Sequence, residues 1–547
     1  MKKTAFIFIL FATLNLFELA FTAQTSKIGQ IKKKSPDVQI CYQCHDTIKE
    51  LHTGGKHSMV NCINCHQGLA QHLKDPNRES RPTTDVSWEA CGKCHQEQYR
   101  SFLKESHHRP GRDEKSQLTG RSPNPFWDKL MMGHGFTKEH NATRSHKWML
   151  IDHLIVDRAY GGRFQGKSGF RYLLESGRAW DVLEDKFPET SIHKPFLPQT
   201  AAAANPVCLM CKTQDNILNW GYLGDPYPEA KWSRQSNVVE FARSSQYGLN
   251  CFSCHDPHAA KPRIVRDALI EALTRAEADT LWHKDEKRTN FKVINMGLRG
   301  FPRKIALLDK YDTRLICGQC HVEYNCNPGY DPRNPDISRY SVAMDDRRTN
   351  HFPFKDVFSL YDHYVNKLHF LDFKHTLTEG LLWKAQHPEA ETFYNSKHAK
   401  AGVGCGDCHM PKLKTAKGKI YTSHFAVTPR VQLRETCLRC HQNLNEEQAR
   451  YLIDSIKAYI RGKMRKAEFW LSQLIDYIVE AKKVGVSPDV LAEARNQHLK
   501  AHILWEYWTA ENSDGFHNPE LARESLTRSV DEAQKGIEIL RKAMGKK

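Results

Sequence analysis

The sequence predicts a mainly α-helical chain with little strand, long helices at its C-terminal end, and an interior that side chains alone do not fill. Three observations predict it. After His441, Ile453, Ile456, Ile460, Met464, Ala467, Leu471, Leu474 and Ile478 recur three and four apart, one apolar stripe along a long helix. Hydrophobic residues make up only 40% of 547, and the mean hydropathy is −0.63. Either much of the chain is exposed or something else occupies its core. Finally, sixteen of the seventeen cysteines fall into Cys-x-x-Cys pairs.

The helices come first. Gly485 follows the end of the striped segment. Ser487-Pro488 then gives a cap and a first-turn proline for a second helix, and Asn518-Pro519 repeats the signal for a third. Periodicity leaves open whether these stripes bury against the rest of the chain, each other or another subunit. The long-helix region is residues 442–547.

The cysteine pairs are Cys41/Cys44, Cys62/Cys65, Cys91/Cys94, Cys208/Cys211, Cys251/Cys254, Cys317/Cys320, Cys405/Cys408 and Cys437/Cys440. Histidine follows seven of them, at His45, His66, His95, His255, His321, His409 and His441. Cys-x-x-Cys-His is the c-type haem attachment motif. The two thiols reach two vinyl groups of one porphyrin, and the adjacent imidazole becomes the proximal iron ligand. Zinc sites and disulfides are the alternatives, but seven matches with histidine in register leave them little room. Lys212 takes the histidine's place in the remaining motif, Val207-Cys-Leu-Met-Cys-Lys212. The expectation is eight haem c groups, seven with a proximal histidine and one with Lys212. Flat apolar cofactors then form much of the core, and the fold class is a mainly α, multihaem c-type cytochrome.

Lys2 and Lys3, an apolar run from Ala5 and small residues near Ala23 read as a secretory signal peptide over 1–23. Asn15 and Glu18 interrupt the run before the ~20 apolar residues that a membrane span needs. The mature protein is expected in the periplasm. Residues 24–110 carry three motifs in a short polar stretch. Residues 111–441 carry the other five, together with a helix and glycine turn at 146–164 and a long surface loop at 327–350. The net charge is +17. With no basic-aromatic repeat of the kind that tracks nucleic acid, the charge suits small anions and acidic redox partners.

A haem with histidine on both faces passes electrons and does no chemistry. Lysine instead offers a saturated amine, a strong σ-donor, and one changed ligand among eight points to the catalytic haem rather than to drift.

Cys208-Leu-Met-Cys-Lys212 resembles the active-site motif of the pentahaem cytochrome c nitrite reductases. The resemblance continues through Cys317-Gly-Gln-Cys-His-Val-Glu-Tyr324, Lys384-Ala-Gln-His-Pro-Glu389, His398 to Pro411 and Gly515-Phe-His-Asn-Pro519. With the three N-terminal motifs added, the chain resembles the octahaem nitrite reductases. In that group a Tyr-x-Cys beside the catalytic haem is joined by a thioether, here Tyr324 and Cys326, the one cysteine outside the pairs. The resemblance implies six-electron reduction of nitrite to ammonium at the Lys212 haem, with Arg158, Tyr324 and His387 around the substrate. Arg163 is the alternative to Arg158. It also implies calcium held by Glu323, Tyr324, Lys384 and Gln386, and a trimeric or hexameric assembly. The donor would be a redox protein or a quinol-linked cytochrome. Distal histidines are expected among His57, His146, His375, His398 and His424. The rival readings are a hydroxylamine oxidoreductase-like or sulfur-oxyanion enzyme, and a non-catalytic wire. Proximal lysine and the Lys-x-Gln-His segment argue against the first, since the hydroxylamine enzymes use histidine there.

Overall fold

The computed structural model describes residues 37–77, 79–106, 126–134, 144–151, 164–166, 183–185, 206–213, 215–221, 230–296 and 303–546. The signal-peptide segment, both arginine candidates (Arg158 and Arg163) and most of the helix expected over 146–164 lie outside them. The chain divides into two compact units, one ending at Asp85 and one starting at Val86.

In the first unit, short helices at Val38–Tyr42, Asp46–Thr53 and Leu69–Lys74 surround a two-stranded pair in which His66–Gln67 meets Thr83–Thr84. Of its described residues only Tyr42, Leu51 and His52 are buried. Such a unit holds too little apolar surface to fold on side chains alone.

The second unit is mainly helical. Helix α1 (Pro206–Met210) carries the first cysteine of the lysine motif and is buried throughout. A small antiparallel sheet follows, built from β1 (His255–Asp256), β2 (Lys261–Ile264), β3 (Phe291–Asn295) and β4 (Lys304–Leu308) in the order β1-β2-β4-β3. Residues Ile305 to Leu308 of β4 are all buried, so the strand has no alternation to reveal it in the sequence. Helices α2 (Thr313–Cys317) and α3 (Glu389–Tyr394) pack on one another. Between them the loop at 327–350 exposes its outer part and buries Val342, Met344, Thr349 and Asn350.

Three long helices end the chain: α4 (Glu446–Lys483), α5 (Pro488–Ala510) and α6 (Pro519–Ala543). Asn445 caps α4 reciprocally: its Oδ1 accepts from Gln448 N at 2.9 Å, and Gln448 Oε1 accepts from Asn445 N at 2.9 Å. Gly485, at φ +77°, closes α4 as Val486 N reaches back to Ala481 O at 3.0 Å. Pro488 opens α5, though Ser487 makes no side-chain cap bond; Asn518 does cap α6, through Leu521 N. The predicted α4 stripe is buried except for a half-buried Ile456. It packs against α5 and α6 within the chain, each large aliphatic contributing about 1.5–3 kcal/mol. Gly536 lets α6 come close: a Cβ there would lie 2.8 Å from Leu474 Cδ1. The bundle shares its core with Tyr364, Phe370, Phe373, Leu382 and Trp383, so it backs the segment that leads into Lys384-Ala-Gln-His387.

Candidate active site

The motif histidines follow or close short helical turns that bring both cysteines to one side. Five of them face a second imidazole. Ring centroids lie 6.2 Å apart for His45 and His72, 6.5 Å for His321 and His146, and 6.3 Å for His255 and His424. They lie 6.2 Å apart for His441 and His398, and 6.3 Å for His409 and His517. A metal–nitrogen bond of about 2 Å on each side separates two imidazole centroids by roughly 6 Å, so each gap fits one iron.

The outer ring nitrogens point the same way. His409 Nδ1 donates to Val427 O at 3.1 Å and His424 Nδ1 to Thr422 O at 3.0 Å. His517 Nδ1 pairs with Glu511 Oε1 at 2.6 Å, and His321 Nδ1 stands 3.6 Å from Glu389 Oε2. His66 Nδ1 lies 3.2 Å from Thr84 Oγ1. Anchoring Nδ1 fixes the tautomer and leaves Nε2 for a metal. Burial would disfavour the Glu389 carboxylate, but His321 holds it down to about 2.

Of the expected distal partners, His146, His398 and His424 each lie opposite a motif histidine. His57 is half-buried in the turn at 54–60, and the ring facing His45 is His72. The structure places His375 elsewhere. Its Nε2 donates to Lys129 O at 2.9 Å, its Nδ1 accepts from Thr378 N at 3.2 Å, and its ring lies 5.3 Å from His498. With both nitrogens engaged under α5 it is directed to no motif histidine. His72 and His517 escaped the sequence reading. His517 lies within the Gly515–Pro519 segment singled out there, and an acid six residues before it, Glu511, is the signal that was available.

Motif thiols also meet one another. Cys91 is hydrogen-bonded to Cys251, Cys211 to Cys320, and Cys317 to Cys405. The Cys254 charge also acts on Cys317, so neighbouring motifs run from Cys91 through Cys251/Cys254 and Cys317/Cys320 to the lysine motif.

Burial does not extend to every attachment cysteine, as a cofactor-filled core would lead one to expect. Cys44, Cys94 and Cys440 are exposed and Cys65 is half-buried. Each is the second cysteine of its motif and ends a single helical turn. Cys44 N donates to Cys41 O at 3.3 Å, Cys65 N to Cys62 O at 3.1 Å and Cys94 N to Cys91 O at 3.2 Å, and Cys440 closes the turn Cys437–Cys440. These turns lie in polar stretches with few apolar side chains to cover a thiol. A porphyrin edge, itself apolar, would supply that cover once the thioethers form.

At the lysine motif Cys208 and Cys211 are buried and Lys212 is half-buried beside the His146–His321 pair, whose charges act on one another. Burial and the Lys212 and His321 charges push His146 down to about 3. The Tyr324 phenol is buried near Cys208, Cys326 and Cys211, with its ring 6.3 Å from His387 and 5.8 Å from Phe352. Burial holds that phenol well above its ordinary value. Cys326 Sγ is fully buried and accepts from Gln386 Nε2 at 3.3 Å and Lys384 Nζ at 3.9 Å.

Of the residues expected to hold calcium, Glu323 and Gln386 meet. Glu323 Oε2 accepts from Gln386 N at 2.7 Å, whereas Oε1 is buried without a partner. One oxygen each of Asp372 and Glu391 is also buried and unpartnered. Burial, reinforced by the carboxylates of Glu391, Asp372 and Glu506, pushes the Glu323 carboxyl well above its ordinary range. Burial likewise raises Asp372 to about 7. Among the described residues no group of three or more His, Cys, Asp or Glu stands ready to hold a metal. A site of one carboxylate, one amide and two carbonyls is of a different kind, and a hard cation suits that oxygen set and its unbalanced charge.

The family model for cytochrome c552 matches residues 84–547. The chain belongs to the cytochrome c552 family. Haem c comes with membership. The match starts beside the boundary between the two units, so the first two motifs precede it. Cytochrome c nitrite reductase subunit NrfA of Nitratidesulfovibrio vulgaris is 26% identical over 461 residues, 77% of this chain and 70% of the relative. Cytochrome c-552 of Haemophilus influenzae is 26% identical over 472 residues, 84% of this chain and 74% of the relative. The fold is shared with the solved cytochrome c nitrite reductase of Desulfovibrio desulfuricans, at a TM-score of 0.56 and 22% identity over 84% of this chain and 87% of that one. The catalytic subunit of that enzyme has two calcium sites. No helix among the described residues of this cytochrome c552 relative is long and apolar enough to cross a membrane.

Proposed function

We propose that this chain reduces nitrite to ammonium at a haem backed by Lys212, fed by seven further haems with histidine on both faces. One observation carries the reading. Five motif histidines face a second imidazole across an iron-sized gap, whereas the Cys208/Cys211 site is walled by a phenol and an imidazole, Tyr324 and His387, 6.3 Å apart. Relatives that are nitrite reductases support it.

The residues divide the work. Cys208, Cys211 and Lys212 would hold the catalytic haem, which would supply electrons and a Lewis-acidic iron for the anion. Tyr324, kept protonated by burial, holds a proton at Oη for the departing oxygens. His387, half-buried, is the second proton donor of this wall. Arg158, by resemblance, grips the anion with a permanent charge and a planar fork. Calcium on Glu323, Gln386 and the carbonyls of Tyr324 and Lys384 would neutralise the buried carboxylates and hold this wall in place. A thioether between Tyr324 and Cys326 would lock the phenol. Export to the periplasm and a trimeric or hexameric assembly complete the reading; light scattering of the purified protein tests the latter.

The test is a steady-state assay with reduced viologen, counting ammonium formed per nitrite consumed in wild type and Lys212→His. One ammonium per nitrite is expected of the wild type. The variant is expected to keep its haem and lose most turnover, by roughly a hundredfold, the scale on which lost transition-state contacts are felt. Unchanged turnover in the variant refutes the role of the amine. Absent turnover in the wild type leaves a wire.

A further inference from the structure

From Pro411 to Arg434 the chain has four lysines, two arginines and no acidic residue. The arginines are neutralised, Arg430 by Asp454 at 2.5 Å and Arg434 by Glu446. The lysines are not. Lys412, Lys414, Lys417 and Lys419 lie exposed on a hairpin in which Lys412 pairs with Thr422, Leu413 with Tyr421 and Lys414 with Ile420. None of the four makes an ion pair with a described residue. Exposed lysines elsewhere can be paired: on the bundle Lys535 reaches Glu532 at 2.7 Å and Lys542 reaches Glu538 at 2.6 Å.

Four crowded, unpaired cations repel one another and do nothing for the hairpin's own stability. The apolar complement is also turned outward, with Ile420 60% exposed. A cluster of like charge on one exposed hairpin attracts a partner of opposite charge and steers its approach.

Its place in the chain says what docks. The hairpin connects His409, which faces His517, to His424, which faces His255. Ser423 N donates to Pro411 O at 2.9 Å and closes its base, and the Thr422 carbonyl anchors His424 Nδ1 at 3.0 Å. A molecule seated on the lysines therefore stands beside two imidazole pairs. We propose that the Lys412–Thr422 hairpin is the docking surface for an acidic electron-donor protein. The proposal rests on haem c at the motifs of His255 and His409, and not on nitrite as the substrate. Each transfer oxidises the donor by one electron and reduces one ferric haem.

The experiment follows haem reduction by stopped-flow absorbance in the holoprotein, without nitrite, so its outcome is separate from that of the nitrite assay. Reduced flavodoxin is the acidic probe and reduced methyl viologen the small cationic control. The quadruple variant Lys412→Gln, Lys414→Gln, Lys417→Gln, Lys419→Gln is compared with wild type, with the turn-only pair Lys417→Gln, Lys419→Gln should the quadruple variant fold poorly. Reduction of the wild type by flavodoxin is expected to slow roughly tenfold from low to high salt. The variant is expected at the slow limit throughout, the corresponding arginine variant at the wild-type rate, and viologen to reduce all of them equally. Equal flavodoxin rates for variant and wild type at low salt overturn the proposal. So does an equal loss with viologen, which marks damage to the haems. Lost binding to phosphatidylglycerol vesicles with unchanged flavodoxin rates overturns it in favour of a lipid surface.

Discussion

Tyr324 and Cys326 stand two residues apart in a wall where neither side chain meets water. Cys326 Sγ, held by Gln386 and Lys384, interacts electrostatically with the Tyr324 phenol. If the thioether forms, a digest of the mature protein yields a Tyr324–Cys326 peptide lighter by two hydrogens and resistant to alkylation. A full-mass, alkylated peptide contradicts it. At this scale the proposed proximal ligands can be read from sequence alone, because Cys-x-x-Cys-His is a local motif. Distal ligands are brought by tertiary folding, so His146, His398 and His424 could be proposed from their contexts while His72 and His517 could not. His375 shows the same dependence on the fold: its Nε2 is engaged by Lys129, from far away in sequence, and its Nδ1 by the nearby Thr378.

At the scale of the element, α5 joins the bundle to the active-site wall through Glu506. Its Oε1 accepts from His134 Nε2 at 2.7 Å and from Ala385 N at 3.1 Å, and its Oε2 from His502 Nε2 at 2.5 Å. Burial alone would raise this carboxyl, but the charges of His134 and His502 hold it down to about 2. A depressed carboxyl contributes stability above its unfolded value near 4.5 and loses it as pH falls toward 2. Glu506→Ala should therefore cost about 3–5 kcal/mol at pH 7, with the gap to wild type closing on acidification. Thermal unfolding at stepped pH measures it, and a pH-independent gap contradicts the account. The end of α4 and the starts of α5 and α6 were legible because Gly485, Pro488 and Asn518-Pro519 act locally. The β1–β4 sheet was not, since Ile305 to Leu308 of β4 are all buried and its partner β2 comes from well upstream in the sequence.

At the scale of the molecule, a chain of net charge +17 buries a set of unpaired carboxylates behind its candidate active site. Asp372, raised by burial to about 7, contributes stability below its unfolded value and loses it as pH rises through 7. Calcium should offset that loss. Its removal by a chelator is expected to lower the Tm more at pH 8 than at pH 5.5, and to lower turnover without loss of haem. An equal effect at both pH values contradicts a cation among these carboxylates. The cofactor-filled class was legible from motif count and thin apolar composition. The boundary at Asp85 was not: Trp88 ties the third motif to the second unit, its Nε1 donating to Leu249 O at 2.9 Å and its ring 4.8 Å from Tyr247.

The central claim is that one iron, behind Lys212, keeps an open face while the others are closed. Electron paramagnetic resonance of the resting ferric protein, with spins counted against total haem, tests it most directly. One high-spin haem in eight, converted on addition of nitrite, is the predicted result. A wholly low-spin spectrum unchanged by nitrite contradicts it.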